Sequence, residues 1–157
     1  MILVDDTVLT NFALIGQLGL LRLAFGDTTL RTTSKVCQEF KKGARKGVFQ
    51  ETDIRWLKNV RLSTRERQRY EMLCRRFGVG EASCLAVALE RGVPLATDDW
   101  KARNLLRQFG GGVTGTLGIL KKLVLNGRLS IEEGDQILGL MIEEGYFSPV
   151  EHLTEIL

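Results

Sequence analysis

Carboxylates carry the chemistry this chain offers. Four acidic positions are spread along it: Asp5 (beside Asp6), Glu39, Glu81 and Asp99 (beside Asp98). Asp5-Asp6 follows Ile2-Leu3-Val4, and Asp98-Asp99 follows Val93-Pro94-Leu95-Ala96-Thr97; both runs read as buried strands. Glu39 and Glu81 sit near helix starts, in Val36-Cys37-Gln38-Glu39 and Gly80-Glu81-Ala82-Ser83. Carboxylates packed together repel one another, and their pKa values rise unless a cation holds them. If the fold gathers these four, the product is an all-oxygen site for Mg²⁺ or Mn²⁺.

Each position also has a plainer explanation. Asp5 and Asp99 suit the caps of the helices that follow them. Glu39 suits a pair with Lys35 or Lys42 along an exposed helix face. Glu81 is stabilised by the helix N-terminus it occupies. Two Asp-Asp pairs at two strand ends, Asp5-Asp6 and Asp98-Asp99, weigh against capping alone. Thr7 and Thr97 suit either the orientation of a metal-bound water or the turn backbone. The conjunction weighs more than any single position, because ligands of parallel α/β sheets collect outside the C-terminal strand ends.

Other chemistries are poorly served. Cys37, Cys74 and Cys84 are odd in number, far apart and without a CxxC, and His152 is the single histidine. That excludes the usual zinc frameworks, and buried free thiols are expected. A histidine-based nucleophile is equally unsupported. The 157 residues suit one domain spanning 1–157. No apolar run approaches the roughly 18–20 residues a membrane span needs. The start has no basic leader, so a cytosolic protein is expected.

Charge is unevenly placed. Residues 31–76 hold 14 Lys/Arg against 5 Asp/Glu, whereas Leu129–Leu157 holds 7 acids and no Lys or Arg. A basic middle beside an acidic pocket suits a polyanion brought to a bound cation. Lys101, Arg103, Arg65 and Arg69 are the candidate phosphate contacts, with a solvated charged face as the alternative.

The elements that must position these residues alternate. Ile2–Asp5 reads as a central strand and Thr7–Leu23 as one helix. The stretch Leu18–Leu23 is apolar nearly all round, as in a buried or partner-sharing helix. Thr28–Thr33 suits a strand, and Ser34 a cap for the helix bearing Glu39. Asn59–Leu62 suits a short edge strand. Ser63 with Glu66 forms a capping box for Ser63–Phe77. Glu81–Arg91, Trp100–Phe109, Thr116–Leu125 and Ile131–Glu144 read as helices, with Val93–Thr97 and Val113–Gly115 as strands between them. The pattern predicts an α/β three-layer sandwich with a mainly parallel sheet of about five strands.

At these residues the chain resembles the PIN-domain ribonucleases, most closely the VapC-type toxins. Val4-Asp5-Asp6-Thr7-Val8-Leu9 is similar to the family's opening Asp-[Thr/Ser]-x-Val-Leu signature. Glu39, Glu81 in Gly-Glu-Ala-Ser-Cys-Leu-Ala-Val-Ala-Leu, and the stretch Thr97–Arg103 match the other acidic stations in order. Val113–Leu120 resembles the segment that follows. Asp6 departs from the Thr, Ser or Asn more common there. The Thr-x-Asp spacing favours Asp99 over Asp98. The resemblance implies about five parallel strands, a homodimer, Mg²⁺- or Mn²⁺-dependent RNA cleavage through Asp5, Glu39, Glu81 and Asp99, and an antitoxin partner that blocks the pocket.

Three rivals stand beside it. A phospho-acceptor receiver would use Asp5-Asp6, Asp53 and Lys101, although no apolar strand precedes Asp53. A haloacid-dehalogenase-like phosphatase shares only an acid after the first strand and a late Asp-Asp pair. A PIN fold that binds RNA or a partner without cutting is the third.

Overall fold

A computed structural model describes residues 1–157. Its centre is a five-stranded parallel sheet in the order β3-β2-β1-β4-β5. The strands are short: β1 Ile2–Val4, β2 Leu30–Thr32, β3 Lys58–Asn59, β4 Leu95–Ala96 and β5 Val113–Thr114. β1 is buried on both faces, so it reads as an unbroken apolar run. Leu3 pairs with Arg31 of β2 on one side and Leu95 of β4 on the other. The chain thus leaves β1 in one direction for β2 and β3, then returns to its other side for β4. The switch point lies between β1 and β4, where open α/β sheets leave a crevice.

Eight helices cover the sheet: α1 Asp6–Leu14, α2 Gly19–Phe25, α3 Ser34–Arg45, α4 Thr64–Leu73, α5 Val79–Arg91, α6 Trp100–Gln108, α7 Thr116–Leu125 and α8 Ile131–Glu143. A 3₁₀ turn follows at Leu153–Glu155. None of them is long and apolar enough to cross a membrane. α5 is the central packing helix: Ala82 through Ala88 are all buried, and it lies against α3, α4, β1 and β4. Its alanines let the backbone approach the sheet closely.

The expected helix over 7–23 is two helices. Ile15 caps α1, Gly16 is left-handed at φ 67°, and Gln17 N–H reaches Phe12 O at 2.8 Å. This Schellman closure turns the chain sharply into α2. Leu18, Leu20 and Leu21 are core residues, whereas Leu23 is exposed. The apolar stretch is therefore mostly core. Thr33, rather than Ser34, caps α3 by accepting from Val36 N–H at 3.3 Å. The edge strand begins one residue earlier than expected and ends at Asn59. Residues 46–57 lack strand or helix, yet Phe49, Ile54 and Leu57 anchor them in the core. Phe49 stacks on Phe40 of α3 at 4.5 Å between ring centres. All three cysteines are free, with Cys84 buried and Cys37 and Cys74 only half-buried.

One buried charge ties α4 to α5. Ser63 and Glu66 form the expected capping box, and Glu66 also accepts from Arg91 Nε at 2.6 Å. Arg91 holds the Glu66 carboxyl below its ordinary 4.5. A lowered folded-state pKa contributes stability above the ordinary value, and that contribution disappears as pH falls through the folded one. Glu66→Gln is expected to cost about 2 kcal/mol at pH 7. The difference in Tm from the native chain should shrink once the pH drops below 4.5. Thermal unfolding of both proteins across pH 3.5–7 checks both statements.

Candidate active site

Asp5 leaves β1 at the switch point and is 1% exposed. It caps α1, as the plainer reading expected, but its hydrogen bonds reach further. Oδ1 accepts from Thr7 N–H at 3.0 Å, Thr7 Oγ1 at 2.6 Å and Val8 N–H at 3.3 Å. Oδ2 accepts only from Thr97 Oγ1, at 2.5 Å. One oxygen is saturated and the other retains a lone pair. Burial pushes this carboxyl up to about 7 against the lowering effect of those donors, and the nearby Asp98 adds to the rise.

Thr97 binds the two strand ends together. It is fully buried after β4, donates to Asp5 and accepts from Asp99 N–H at 3.1 Å. The two neighbouring acids then divide. Asp98 is held on both oxygens: Thr116 N–H donates to Oδ1 at 2.8 Å, and Asn11 Nδ2 and Thr116 Oγ1 donate to Oδ2 at 2.9 and 2.5 Å. Asp99 caps α6 through Oδ1, which accepts from Ala102 N–H at 2.8 Å. No protein group donates to its Oδ2. Asp98 is built into the scaffold, and Asp99 keeps an oxygen free.

Glu39 and Glu81 enter from the other side of β1. Gly78 gives α5 no side-chain cap, and Glu39 of α3 takes that place by accepting from Gly80 N–H at 3.1 Å. A Cβ on residue 80 would fall onto the Glu39 carboxylate. Glu81, in the first turn of α5, is half-buried. Burial, then Asp99, Asp5 and Glu39, push its carboxyl up to about 7, while Lys101 pulls it back. Asp6 rises to about 6 through burial and the charge of Glu39. Asp5, Glu39, Glu81 and Asp99 thus share one electrostatic field although four separate elements supply them. They are not drawn together as a finished coordination shell: no group of three or more His, Cys, Asp or Glu side chains is close enough to hold an ion. No buried side-chain nitrogen or oxygen lacks a partner.

The basic candidates separate by location. Lys101 is exposed on α6 within the field of Glu81. Arg103 donates from Nη1 to Thr97 O at 2.9 Å, so it also braces the β4 end. Arg65 and Arg69 pair with Glu90 at 3.5 and 2.7 Å. Glu90 lies nine residues along α5 from Glu81, roughly 13 Å at the usual helical rise. Asp53, the receiver-type acceptor, precedes β3 instead of ending it and is chelated by Arg55.

Asn11, Thr116, Gly80 and Gly115 also build the site; the sequence placed the last three in motifs without a role and gave Asn11 no place. Asn11 lies one helical turn after Thr7, which was its only local signal. Gly115 is buried against Asp98 Oδ1 and Arg103, leaving no room for a Cβ. Thr97→Val removes the sole donor to Asp5 Oδ2 and is expected to cost about 2 kcal/mol. Urea unfolding of the single and double variants checks this: the cost should be smaller in an Asp5→Ala background, where only the lost acceptor for Asp99 N–H remains.

The chain matches a family model described as a PIN domain over residues 1–157. No curated protein and no solved structure matches it. The match over residues 1–157 agrees with the parallel five-stranded sheet. The chain belongs to the PIN-domain family, whose members are typically nucleases.

Proposed function

We propose that the chain is a ribonuclease that cleaves RNA phosphodiesters with Mg²⁺ or Mn²⁺. The observation that carries this reading is the mutual electrostatic field of Asp5, Glu39, Glu81 and Asp99 at the β1/β4 switch. Burial is the main reason that Asp5 and Glu81 rise to about 7, the charges of Asp99, Asp5 and Glu39 raise Glu81 further, and neither carboxyl is in an ion pair. PIN-domain nucleases generally use divalent metals, and an all-carboxylate donor set has the chemistry these hard cations take. Asp5 through Oδ2, Asp99 through Oδ2, Glu39 and Glu81 would hold the ion, with Asp98 beside them. Such an ion, when bound, supplies a water of lowered pKa and a Lewis acid for the phosphoryl oxygens.

The chain's own residues perform the positioning. Thr7 and Thr97 fix the Asp5 carboxylate so that one lone pair faces the site. Asn11 and Thr116 fix Asp98, whose backbone N–H donates to Thr7 Oγ1 at 2.9 Å and so locks the two strand ends. Asp6 adds negative charge at the rim. Lys101 and Arg103 neutralise phosphate charge beside the carboxylates, and Arg65 and Arg69 extend the basic surface toward more distant phosphates. The products carry 5′-phosphate and 3′-hydroxyl ends. The VapC-like signature extends the reading to a cytoplasmic toxin, a homodimer and a pocket-blocking antitoxin. Light scattering should then give about twice the chain mass of 17.6 kDa. A folded protein that stays at the single-chain mass would remove the dimer from the reading.

Labelled single-stranded RNA incubated with Mn²⁺ tests the activity. Cleavage is expected from the native chain and is expected to vanish with EDTA and in Asp5→Asn. Gly80→Ala should keep its Tm within a few degrees, since alanine is the better helix former, yet lose at least about tenfold in rate as Glu39 is displaced. Mn²⁺ should raise the Tm of the native chain more than that of Asp5→Asn. Full cleavage by a folded Asp5→Asn protein would sink the assignment. Saturable RNA binding without any cutting would favour a PIN fold that only binds.

A further inference from the structure

Two clefts of different chemistry lie at opposite edges of the sheet. One, of about 510 Å³, lies beside β3 and α4 and is lined by Lys35, Arg61 and Arg67. None of these three is in an ion pair. The other, of about 920 Å³, includes Thr7, Asp98 and Arg103 and is walled by Trp100, Tyr146 and Phe147. It adjoins the carboxylate site: Thr7 donates to Asp5, and Asp98 and Trp100 are the chain neighbours of Asp99.

Two of its rings are open to solvent. Trp100 is 66% exposed and Phe147 is 94% exposed. Neither takes part in the single aromatic stack, Phe40 on Phe49, nor in the cation–π contacts, which use Trp56, Phe77 and Phe25. Their π-faces are unoccupied. Trp100 also borders a third cleft, of about 410 Å³, that holds Arg76 and Lys101. Cations therefore stand on both sides of this ring: Arg103 in one cleft, Arg76 and Lys101 in the other. An exposed ring framed by cations matches a nucleotide in a single strand, whose base stacks while its phosphates meet Arg or Lys. A duplex hides its base faces and would leave the two rings unmatched.

We propose that Trp100 and Phe147 form a stacking platform for an unpaired base adjoining the scissile phosphodiester. This rests on the nuclease reading above and adds the strand's path. Its sugar–phosphate chain runs past Lys35, Arg61 and Arg67 on the β3 side, crosses the carboxylates, and lays a base on Trp100 on the β5 side. Trp100 opens α6 and Phe147 follows α8, so neither ring is needed for the core.

The test uses the full chain with Asp5→Asn, in Mg²⁺, and two fluorescein-labelled probes of equal charge. One is a short oligoadenylate and the other an abasic ribose-phosphate oligomer. Trp100→Ala and Phe147→Ala are each expected to weaken oligoadenylate binding about 5- to 100-fold. Binding of the abasic probe and the salt dependence should stay unchanged, since no phosphate contact is lost. Trp100→Phe should restore most of the affinity. Unchanged oligoadenylate affinity in both alanine variants overturns the platform. So does displacement of the rings' environment by a basic peptide alone, with no oligoadenylate bound, which would assign the cleft to a protein partner. RNA cleavage by the native chain separates the two readings. Cutting with unaltered oligoadenylate affinity in both alanine variants removes the platform alone. Base-dependent loss of binding beside a native chain that cuts nothing keeps the platform and removes the nuclease.

Discussion

Everything at this site depends on one buried carboxylate. Asp5 sits where β1 ends between β2 and β4, with almost no solvent access. An isolated carboxylate there is costly, and the surrounding structure is arranged to offset it. The N-terminus of α1 supplies two backbone donors, Thr7 adds a hydroxyl, and Thr97 adds another from across the sheet. These contacts set the distance between the β1 and β4 ends and the starting directions of α1 and α6. Even so, burial outweighs the donors and leaves the carboxyl raised.

The same constraint explains why two adjacent aspartates do different work. Asp98 is turned toward Asn11 and Thr116 and joins β4 to α1 and α7. Asp99 is turned by one residue toward the other side, where it caps α6 and raises the Glu81 carboxyl. A strand end followed at once by a helix presents successive side chains to different surroundings. One acid can be structural and its neighbour available only because Thr97 holds the backbone between them.

The electrostatic layout has a direction. A cleft with Lys35, Arg61 and Arg67, beside Glu71, lies on the β3 side, and an aromatic cleft lies on the β5 side. The strongly basic stretch from residue 31 to 76 is partly neutralised, by Glu90 of α5 on Arg65 and Arg69 and, within the stretch, by Asp53 on Arg55. The charge left free is less than composition suggests, and three of the unpaired cations, Lys35, Arg61 and Arg67, share one cleft beside β3 and α4. The acidic C-terminal segment contributes Tyr146 and Phe147 to the other cleft, so its role near the site comes from rings instead of carboxylates.

Much of the architecture was determined by local sequence. The apolar runs at Ile2–Val4 and Leu95–Ala96, the capping box at Ser63 and Glu66, and the alanine-rich run from Ala82 to Ala88 each specify an element through short-range physics. The order of those elements specifies the parallel sheet. Asp5, Asp99 and Glu81 were legible for the same reason, because caps and first turns have sequence signatures, whereas Glu39 lies in the middle of α3 and not near its start as expected. What only the tertiary structure decided was which groups meet across the chain. Asn11 and Thr116 reach Asp98 across separations of 87 and 18 residues, and Glu39 reaches Gly80 across 41. Hydrogen bonds at such separations depend on the folded backbone's register, which no local preference encodes. The break at Gly16 belongs to the same category: glycine permits a left-handed turn, but the packing of α2 against α7 is what requires it there.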